Sequence, residues 1–220
     1  METSSFAELD AIFLPRNVVI IGSSPRDNFT NCHLNTRMRD HLYMVNPNYV
    51  EVKGRKCYAS VLDIEETLDY GIIAVPSKLV FKAVSECIEK GLKAVHVFTS
   101  GYSETGLLEG ISLERELLNL VKGRIRLIGP NCMGIYCPAS RVSFRADFPK
   151  ESGPVGLVSQ SGGNTTEIIL DARLRGVRFS KVVSYGNGCD LGESDFMEYL
   201  ADDVETKIIT LYIEGVKDGA

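Results

Sequence analysis

The stretch VVIIGSSP, residues 18–25, decides the fold. Four β-branched apolar residues end at a glycine, two serines and a proline, a pattern typical of a buried parallel strand followed by a tight turn. Four later runs have a similar form and end near Gly, Pro, Ser or Asn: residues 43–45, 71–75, 94–98 and 126–128. Helical patterns lie between these runs, so the sequence predicts an α/β domain with a Rossmann-like, doubly wound parallel sheet.

The spacing of apolar residues between the runs predicts the helices. Apolar residues after Pro76 recur with a period of about 3.6, which predicts a helix with Ser77 as its N-cap and Gly91 at its end. A second helix is predicted over residues 113–121, with Ser112 as its cap. A short helix rich in polar residues is expected near residues 31–42, between the first two strands.

A second α/β unit is predicted to follow the first. Its expected strands cover residues 155–158, 181–184 and 208–213, and its expected helices cover residues 165–175 and 194–201. Residues 141–152 show no strong period and are predicted to be a linker between unit 1–140 and unit 153–220. A unit of about 70 residues buries only about 60% of its unfolded surface, which indicates the first part of a larger domain or one completed by a partner.

Composition argues against several classes of protein. The chain has 220 residues and a net charge of −5, which does not favour nucleic-acid binding. No apolar run approaches the roughly 20 residues that cross a bilayer. The N-terminal residues lack the pattern of a signal peptide. A cytoplasmic protein that contacts neither membrane nor nucleic acid is therefore expected.

The cysteines and histidines give no sign of a metal site or a hydrolytic triad. The six cysteines form no CxxC pair, so no metal is expected and the thiols are predicted to be reduced. The three histidines, His33, His41 and His96, do not cluster in the sequence. His96 lies in the middle of a predicted strand and is expected to be structural.

Three loops are candidates for binding an anionic ligand, each with a purely structural alternative. The loop at Gly22 has the small residues that a phosphate requires, but a plain tight turn needs them equally. Asn131 and Cys132 follow the fifth strand at the edge where α/β sheets bind ligands, or they form a turn with a buried thiol. The segment SQSGG at residues 159–163 favours an anion nest over a simple serine cap.

The end of the second strand bears on the identity of the ligand. Nicotinamide-binding domains usually have an Asp or Glu there, which binds the ribose hydroxyls. This chain has Asn46 and Pro47 instead. A nicotinamide cofactor is therefore disfavoured.

Taken together, nine segments resemble the ADP-forming acyl-CoA synthetases, relatives of the succinyl-CoA synthetase alpha subunit. They occur in the family's order and cover residues 18–219: IIGSSPRD, MVNPNY, KCYASVLDI, IIAVPSKLV, TSGYSETG, RLIGPNCMGIYCP, GLVSQSGG, KVVSYGNGCDLGESDFMEYLADD and ETKIITLYIEGVKDG. The resemblance implies a CoA-binding Rossmann-like domain followed by the first part of a flavodoxin-like domain.

The resemblance also implies roles for individual residues. The family converts acyl-CoA, ADP and phosphate to an acid, CoA and ATP through a phosphohistidine. The residues that would bind coenzyme A run from its phosphates to its thiol end: Gly22, Ser23, Ser24, Asn46, Pro47, Val75, Pro76, Ser100, Gly101, Asn131 and Cys132. The residues of the catalytic site would stabilise the phosphohistidine and contact its ring: Ser159, Ser161, Gly162 and Glu214.

Two features of the family have no counterpart in this sequence, the phosphorylated histidine and the nucleotide-grasping part. No residue matches the family's histidine, which lies in an SHTG-like segment, so the isolated chain is predicted to be inactive. ADP or ATP with magnesium is expected only on a nucleotide-grasping part that this sequence does not contain. The expected partners are CoA, acyl-CoA and the remaining synthetase domains or a beta-type subunit, within an oligomer.

Two other functions stay open at this point. The chain could be a stand-alone CoA-binding regulatory module without catalysis, or a nicotinamide-binding Rossmann protein. The acyl group is not indicated, because no acyl pocket is identifiable in the sequence.

Overall fold

The apolar runs of the first half form a single sheet. The computed structural model describes residues 6–34 and 36–216. Seven strands lie in the order β3-β4-β2-β1-β5-β6-β7. Their bounds are β1 Val18–Ile21, β2 Leu42–Val45, β3 Glu51–Val52, β4 Arg55–Tyr58, β5 Tyr70–Ile73, β6 Ala94–Val97 and β7 Arg126–Ile128. All pairs are parallel except β3 with β4, so the predicted Rossmann-like sheet is confirmed.

Four α-helices belong to the first half, and one of them begins earlier than predicted. They are α1 Phe6–Phe13, α2 Asn28–Leu34, α3 Ser77–Lys90 and α4 Leu108–Val121. The predicted start of α4 at residue 113 is wrong, because Ser112 lies inside the helix and its hydroxyl donates to Glu116. The first turn of α4 escaped prediction because its N-cap, Leu107, is an apolar residue that makes no side-chain capping bond, so no capping residue marks the true start.

Helix ends follow the expected chemistry with one correction. Gly91 adopts φ 81° and ends α3 in the left-handed conformation, as predicted. Pro76, not Ser77, is the N-cap of α3, and Ser77 is the first helical residue. The helix expected near residues 31–42 is instead α2 followed by a 3₁₀ segment at Arg37–His41.

A second, four-stranded sheet holds the remaining strands. Its order is β11-β9-β10-β8, with β8 Gly134–Tyr136, β9 Val155–Ser159, β10 Phe179–Ser184 and β11 Ile208–Tyr212. Two helices follow its strands, α5 Gly162–Leu174 and α6 Glu193–Asp202. Strand β8 pairs antiparallel with β10, although it precedes residue 140. The domain limits drawn at residues 140 and 153 stay predictions.

The predicted linker is packed against both units. Val142, Phe144 and Phe148 are buried in this segment. The ring of Phe148 lies 5.1 Å from that of Tyr136 and 5.0 Å from that of Phe144. These contacts place the segment inside the hydrophobic core, which also contains residues of both sheets.

Helix α1 joins the first sheet to α6 of the second unit. The Phe13 ring stacks on the Tyr199 ring at 5.1 Å, and the Tyr199 hydroxyl donates to Asp10 at 3.0 Å. Arg126 on β7 forms an ion pair with Asp190 ahead of α6. These contacts hold the first sheet and the second unit against each other.

In the ranges 6–34 and 36–216, no helix is both long enough and apolar enough to pass through a bilayer.

Candidate functional site

The predicted CoA-binding residues gather at one edge of the first sheet. They follow the carboxyl ends of β1, β2, β5, β6 and β7, which lie side by side. Hydrogen bonds tie successive loops together: the Asn46 amide donates to the Ser23 carbonyl at 2.9 Å, and the Thr99 hydroxyl to the Val75 carbonyl at 2.6 Å. This edge is where open α/β sheets bind ligands.

Gly22 is required by the turn after β1. It adopts φ 102°, and a Cβ at this position would lie 2.3 Å from the Ala74 carbonyl oxygen. The backbone N–H groups of Gly22 and Ser23 both donate to the Val45 carbonyl, at 2.9 and 3.2 Å. The loop therefore uses these two donors to hold β2, and they are not directed at a ligand.

The Ser23 side chain is directed into the protein and supports the loop there. Its side chain is fully buried, and its hydroxyl contacts the Ile20 carbonyl at 3.2 Å and the Thr30 hydroxyl at 3.1 Å. In this conformation the Ser23 hydroxyl cannot reach a phosphate in the cleft. Its assignment to CoA stays a prediction.

A carboxylate of the chain itself occupies the start of α2. Asp27 accepts the backbone N–H groups of Ser24 and Thr30, each at 2.7 Å. The Ser24 hydroxyl, which accepts the Arg26 backbone N–H at 3.4 Å, and the exposed Arg26 side chain lie at the loop surface, and Arg26 forms no ion pair within the described residues. Sequence reasoning missed both Asp27 and Arg26, although the motif IIGSSPRD contains them.

Asn46 positions two loops at the end of β2. Its amide nitrogen donates to Ser23, and its amide oxygen accepts the Asn48 backbone N–H at 3.0 Å. Pro47 follows directly in the same turn. The place where nicotinamide-binding domains have a carboxylate is thus taken by an amide that is already engaged.

The loop after β6 carries Ser100 and Gly101. Ser100 is exposed, and Gly101 adopts φ 106°. Glu104 accepts the Gly101 N–H at 2.5 Å and the Tyr102 N–H at 3.1 Å. Partial burial opposes ionisation of Glu104, but the hydrogen bonds from Asn187, Gly101 and Tyr102 hold its pKa below the usual value.

Asn131 and Cys132 follow β7 in different environments. Asn131 is exposed and adopts φ 58°, whereas Cys132 is 3% exposed. The Cys132 thiol lies 3.4 Å from the Ile128 carbonyl and 3.5 Å from the Val97 carbonyl. Burial raises the pKa of Cys132 to about 12, so this thiol is protonated and unreactive. Of the two, only Asn131 presents a polar group to the cleft.

The loop after β9 leaves donors at the start of a longer helix. Ser161 is the N-cap of α5, and its hydroxyl oxygen accepts the Asn164 N–H at 3.3 Å. The amides of Gly162 and Gly163 lie in the first turn, where no intrahelical carbonyl reaches them. Apart from its chain neighbours and the backbone of its own helix, no heavy atom lies within 4 Å of where a Cβ of Gly163 would be. This side of the turn is uncovered and leaves room for an anion.

Ser159 and Glu214 are brought to the same place by strand pairing. Ser159 pairs with Tyr212 of β11, two residues before Glu214. Ser159 is fully buried, and its hydroxyl donates to the Ser161 carbonyl at 3.0 Å. Gln160, which sequence reasoning passed over, accepts the backbone N–H groups of Glu214 at 2.8 Å and Gly215 at 3.0 Å. Gln160 thus fixes the Glu214 segment beside the loop.

The two candidate loops adjoin at the junction of the sheets. A Cβ on Gly162 would lie 2.6 Å from Met133 Cγ, directly after Cys132. A Cβ on Gly186 would lie 2.3 Å from the Asn131 carbonyl oxygen. The thiol end predicted for CoA and the anion nest at α5 are therefore neighbours.

Within residues 6–34 and 36–216, no three His, Cys, Asp or Glu side chains are grouped so that they could hold a metal ion.

Both units match known protein families. Residues 16–138 match the family described as CoA binding domain, and residues 152–220 match the family described as succinyl-CoA ligase like flavodoxin domain. The predicted combination of a Rossmann-like and a flavodoxin-like unit is thereby confirmed.

Curated relatives are longer than this chain. An acetate–CoA ligase [ADP-forming] of Methanocaldococcus jannaschii is 42% identical over 218 residues, which are 96% of this chain and 30% of the relative. The alpha subunit of acetate–CoA ligase [ADP-forming] II of Pyrococcus furiosus is 39% identical over 216 residues, which are 96% of this chain and 47% of that subunit. The chain therefore spans less than half the length of these relatives.

A solved structure shows the same arrangement of both units. It is the dinucleotide-forming acetyl-coenzyme A synthetase 1 of Ca. Korarchaeum cryptofilum, in complex with phosphate and ADP. The TM-score is 0.88 and the identity 30%, over 96% of this chain and 46% of that one.

Proposed function

Because this chain belongs to the family of CoA-binding domains and joins one to a succinyl-CoA ligase-like flavodoxin domain, we propose that it is the CoA-binding portion of an ADP-forming acyl-CoA synthetase. The reaction of the complete protein would be acyl-CoA + ADP + phosphate ⇌ acid + CoA + ATP, through a phosphohistidine. The histidine would come from a segment outside this sequence, in the same protein or a partner.

One observation carries the proposal: the loop with Asn131 touches the loop with Gly186, and Met133 touches Gly162. A synthetase of this type must bring the thioester end of CoA close to a phosphoryl group. The adjoining loops supply such a place, with a CoA groove on one side and an anion nest on the other.

CoA would lie across the carboxyl edge of the first sheet. Its phosphates would meet the Ser24 hydroxyl, and Arg26 would supply the positive charge that the loop otherwise lacks. Gly22 and Ser23 would shape the turn, while Asn46 and Pro47 would border the nucleotide part. The groove would continue along Val75, Pro76, Ser100 and Gly101 to Asn131, with Cys132 packed beneath.

The second unit would receive the phosphohistidine. The amides of Gly162 and Gly163, the Ser161 hydroxyl and the dipole of α5 are suited to a phosphoryl dianion. Ser159 would hold the loop by its bond to the Ser161 carbonyl. Glu214 would accept the ring N–H of the incoming histidine and so fix its tautomer.

The remaining parts of the proposal lie outside this chain. ADP or ATP with magnesium would bind to the nucleotide-grasping part, carried by further domains or by a beta-type subunit. The naming of the P. furiosus relatives as alpha subunits supports a partner subunit. We also propose an oligomer located in the cytoplasm.

Calorimetric titration of the chain with CoA, dephospho-CoA and NAD tests the proposal. CoA should bind, and NAD should not, because Asn46 replaces the carboxylate that would bind the ribose. Arg26→Gln should weaken CoA binding several-fold through loss of a charged phosphate contact. Arg115→Gln, an exposed change on α4, is the matched control and should have no effect. Tighter binding of NAD than of CoA would contradict the proposal.

A further inference from the structure

The side chain of Asn187 joins the loop after β10 to two loops of the first sheet. Its amide nitrogen lies 2.6 Å from Glu104 Oε2 and 2.7 Å from Glu114 Oε2. Its amide oxygen lies 3.4 Å from the Asn131 amide nitrogen, and its backbone N–H donates to the Pro130 carbonyl at 3.0 Å. One residue of the second unit is thus bonded to both loops that border the thiol end of the groove.

The two carboxylates fix the orientation of this amide. Ionised carboxylates only accept hydrogen bonds, so the NH₂ group of Asn187 must face Glu104 and Glu114. Glu104 Oε2 and Glu114 Oε2 both lie within hydrogen-bond distance of the same amide nitrogen. Two carboxylates this close repel each other unless a donor lies between them. Glu114, which is 7% exposed, also accepts the Ser103 hydroxyl at 2.5 Å. The Asn187 amide is therefore the neutral bridge between two negative groups.

Glu104 links Asn187 to the backbone of the groove. Oε2 accepts from Asn187 and from the Tyr102 N–H at 3.1 Å, and Oε1 accepts the backbone N–H groups of Gly101 at 2.5 Å and Tyr102 at 3.2 Å. Gly101 adopts φ 106°, and its N–H is held by this carboxylate. Loss of the Asn187 contact would remove one of the hydrogen bonds that fix Glu104, so the Gly101 backbone should open more often.

Resting on the function proposed above, we propose that Asn187 is a positioning residue for coenzyme A. It holds Glu104, and through Glu104 the loop of Ser100 and Gly101, in the conformation that receives the cofactor. Because Asn187 also contacts Asn131, one side chain of the second unit sets both walls of the groove near its thiol end.

The test uses the whole chain with Asn187→Ala and Asn187→Asp, and with Asn17→Ala as matched control. The Asn17 amide nitrogen likewise donates a hydrogen bond between loops, to the Thr67 carbonyl at 2.7 Å, but at the opposite edge of the sheet. CoA affinity is measured by calorimetry between about pH 5 and pH 8, a range in which a carboxyl group with a raised pKa titrates. Amide hydrogen exchange is measured at Gly101 and Tyr102.

Asn187→Ala should weaken CoA binding about tenfold and speed exchange at Gly101 and Tyr102 by a similar factor, as expected for one lost charged hydrogen bond. Asn187→Asp should bind weakly at high pH and approach the wild-type affinity at low pH. There the new carboxyl, flanked by Glu104 and Glu114 with Tyr102 and Cys189 nearby, becomes protonated and can donate. Asn17→Ala should bind CoA like the wild type.

The outcomes separate this inference from the proposed function. A wild-type chain that does not bind CoA overturns the proposed function, and the positioning role falls with it. A wild-type chain that binds CoA, with Asn187 variants that bind equally well at every pH, overturns the positioning role alone. Unchanged exchange at Gly101 in the variants also overturns it, since the proposed path runs through Glu104. Asn187→Asp keeps the size of the side chain, so it tests the positioning role if Asn187→Ala fails to fold.

Discussion

The loop after β1 and the loop after β9 are alike in sequence and differ in structure. Each follows an apolar strand and combines two serines with glycine. In the first loop, Asp27 accepts the N–H groups of Ser24 and Thr30, so a carboxylate of the chain fills the start of α2. In the second, neutral Ser161 caps α5 and the space at Gly163 is open. Small residues permit an anion to approach, but a charge a few residues later decides whether the site is free.

The largest effect is expected from the open loop. In the complete synthetase, the double change Ser159→Ala, Ser161→Ala should slow phosphohistidine formation by about 10²–10³, because it removes the Ser161 hydroxyl as a preorganised donor to developing charge and the Ser159 hydrogen bond that holds the loop. Single-turnover phosphorylation of wild type and variant measures this effect. CoA affinity should stay nearly unchanged, because CoA belongs to the first unit.

Ser112→Ala is the matched control for this double change. Ser112 is exposed on α4, and its hydroxyl donates to Glu116 at 3.2 Å, away from both candidate loops. This variant should phosphorylate at the wild-type rate. Equal rates for the double variant and the wild type would mean that the loop after β9 is only a helix cap, and the contrast with the first loop would lose its functional meaning.

An intermediate effect is expected on the stability of the fold at acidic pH, because the first unit contains two buried histidines. Burial lowers the pKa of His33 from 6.5 and that of His96 to about 3. Both rings are neutral in the folded chain and become protonated on unfolding below about pH 6.5. Stability from these groups is therefore complete above that pH and is lost as the pH falls. At pH 5 the loss should be about 2 kcal/mol for His96, and His33 should add a further loss in the same direction.

Denaturant unfolding at pH 7 and pH 5 measures this loss. His33→Asn should lower stability at pH 7, because the His33 ring bonds to the Phe29 carbonyl at 2.7 Å and to the Ser143 N–H at 3.3 Å. The same variant should lose less stability than the wild type between pH 7 and pH 5. His41→Asn, at an exposed histidine, should leave that difference unchanged. A wild-type difference that His33→Asn does not reduce would contradict the assignment.

The smallest effect is expected from removing the negative charge at the start of α2 in the first loop. Asp27→Asn removes the negative charge beside the site proposed for the CoA phosphates, so CoA affinity should rise three- to tenfold, or about 1 kcal/mol. Titration of CoA at low ionic strength measures the change. Asp171→Asn, at an exposed carboxylate paired with Arg175, is the control and should leave affinity unchanged. Weaker binding by Asp27→Asn would show that the carboxylate assists the cofactor and does not compete with it.

The sequence predicts the parts of the fold that depend on local patterns. The run from Val18 is buried along its whole length, and the αL position at Gly91 ends α3 as its residue type indicates. The hairpin of β3 and β4 was not predicted, because its strands are short and polar at the edge of the sheet. The glycine in its turn is a local sequence signal that could have revealed it, because both turn residues, Lys53 and Gly54, have positive φ angles of 52° and 75°.

The site was less accessible to sequence reasoning, because its decisive contacts join distant residues. Ser23 was assigned from its neighbours, yet its hydroxyl is directed toward Thr30 inside the fold. Asn187 lies 83 residues from Glu104 along the chain, and no local pattern relates them. A motif specifies which residue types reach a loop, whereas the direction of each side chain depends on packing that only the folded chain has.

The hydrophobic core described above belongs to both sheets, and this limits how the gene can change. Ile20 and Tyr70 of the first sheet lie in the same cluster as Val183 and Phe196 of the second unit. A gene fission or recombination event within residues 138–152 would expose this apolar surface on both fragments, which would favour aggregation over function. Keeping the two units on one chain therefore keeps this shared apolar surface covered.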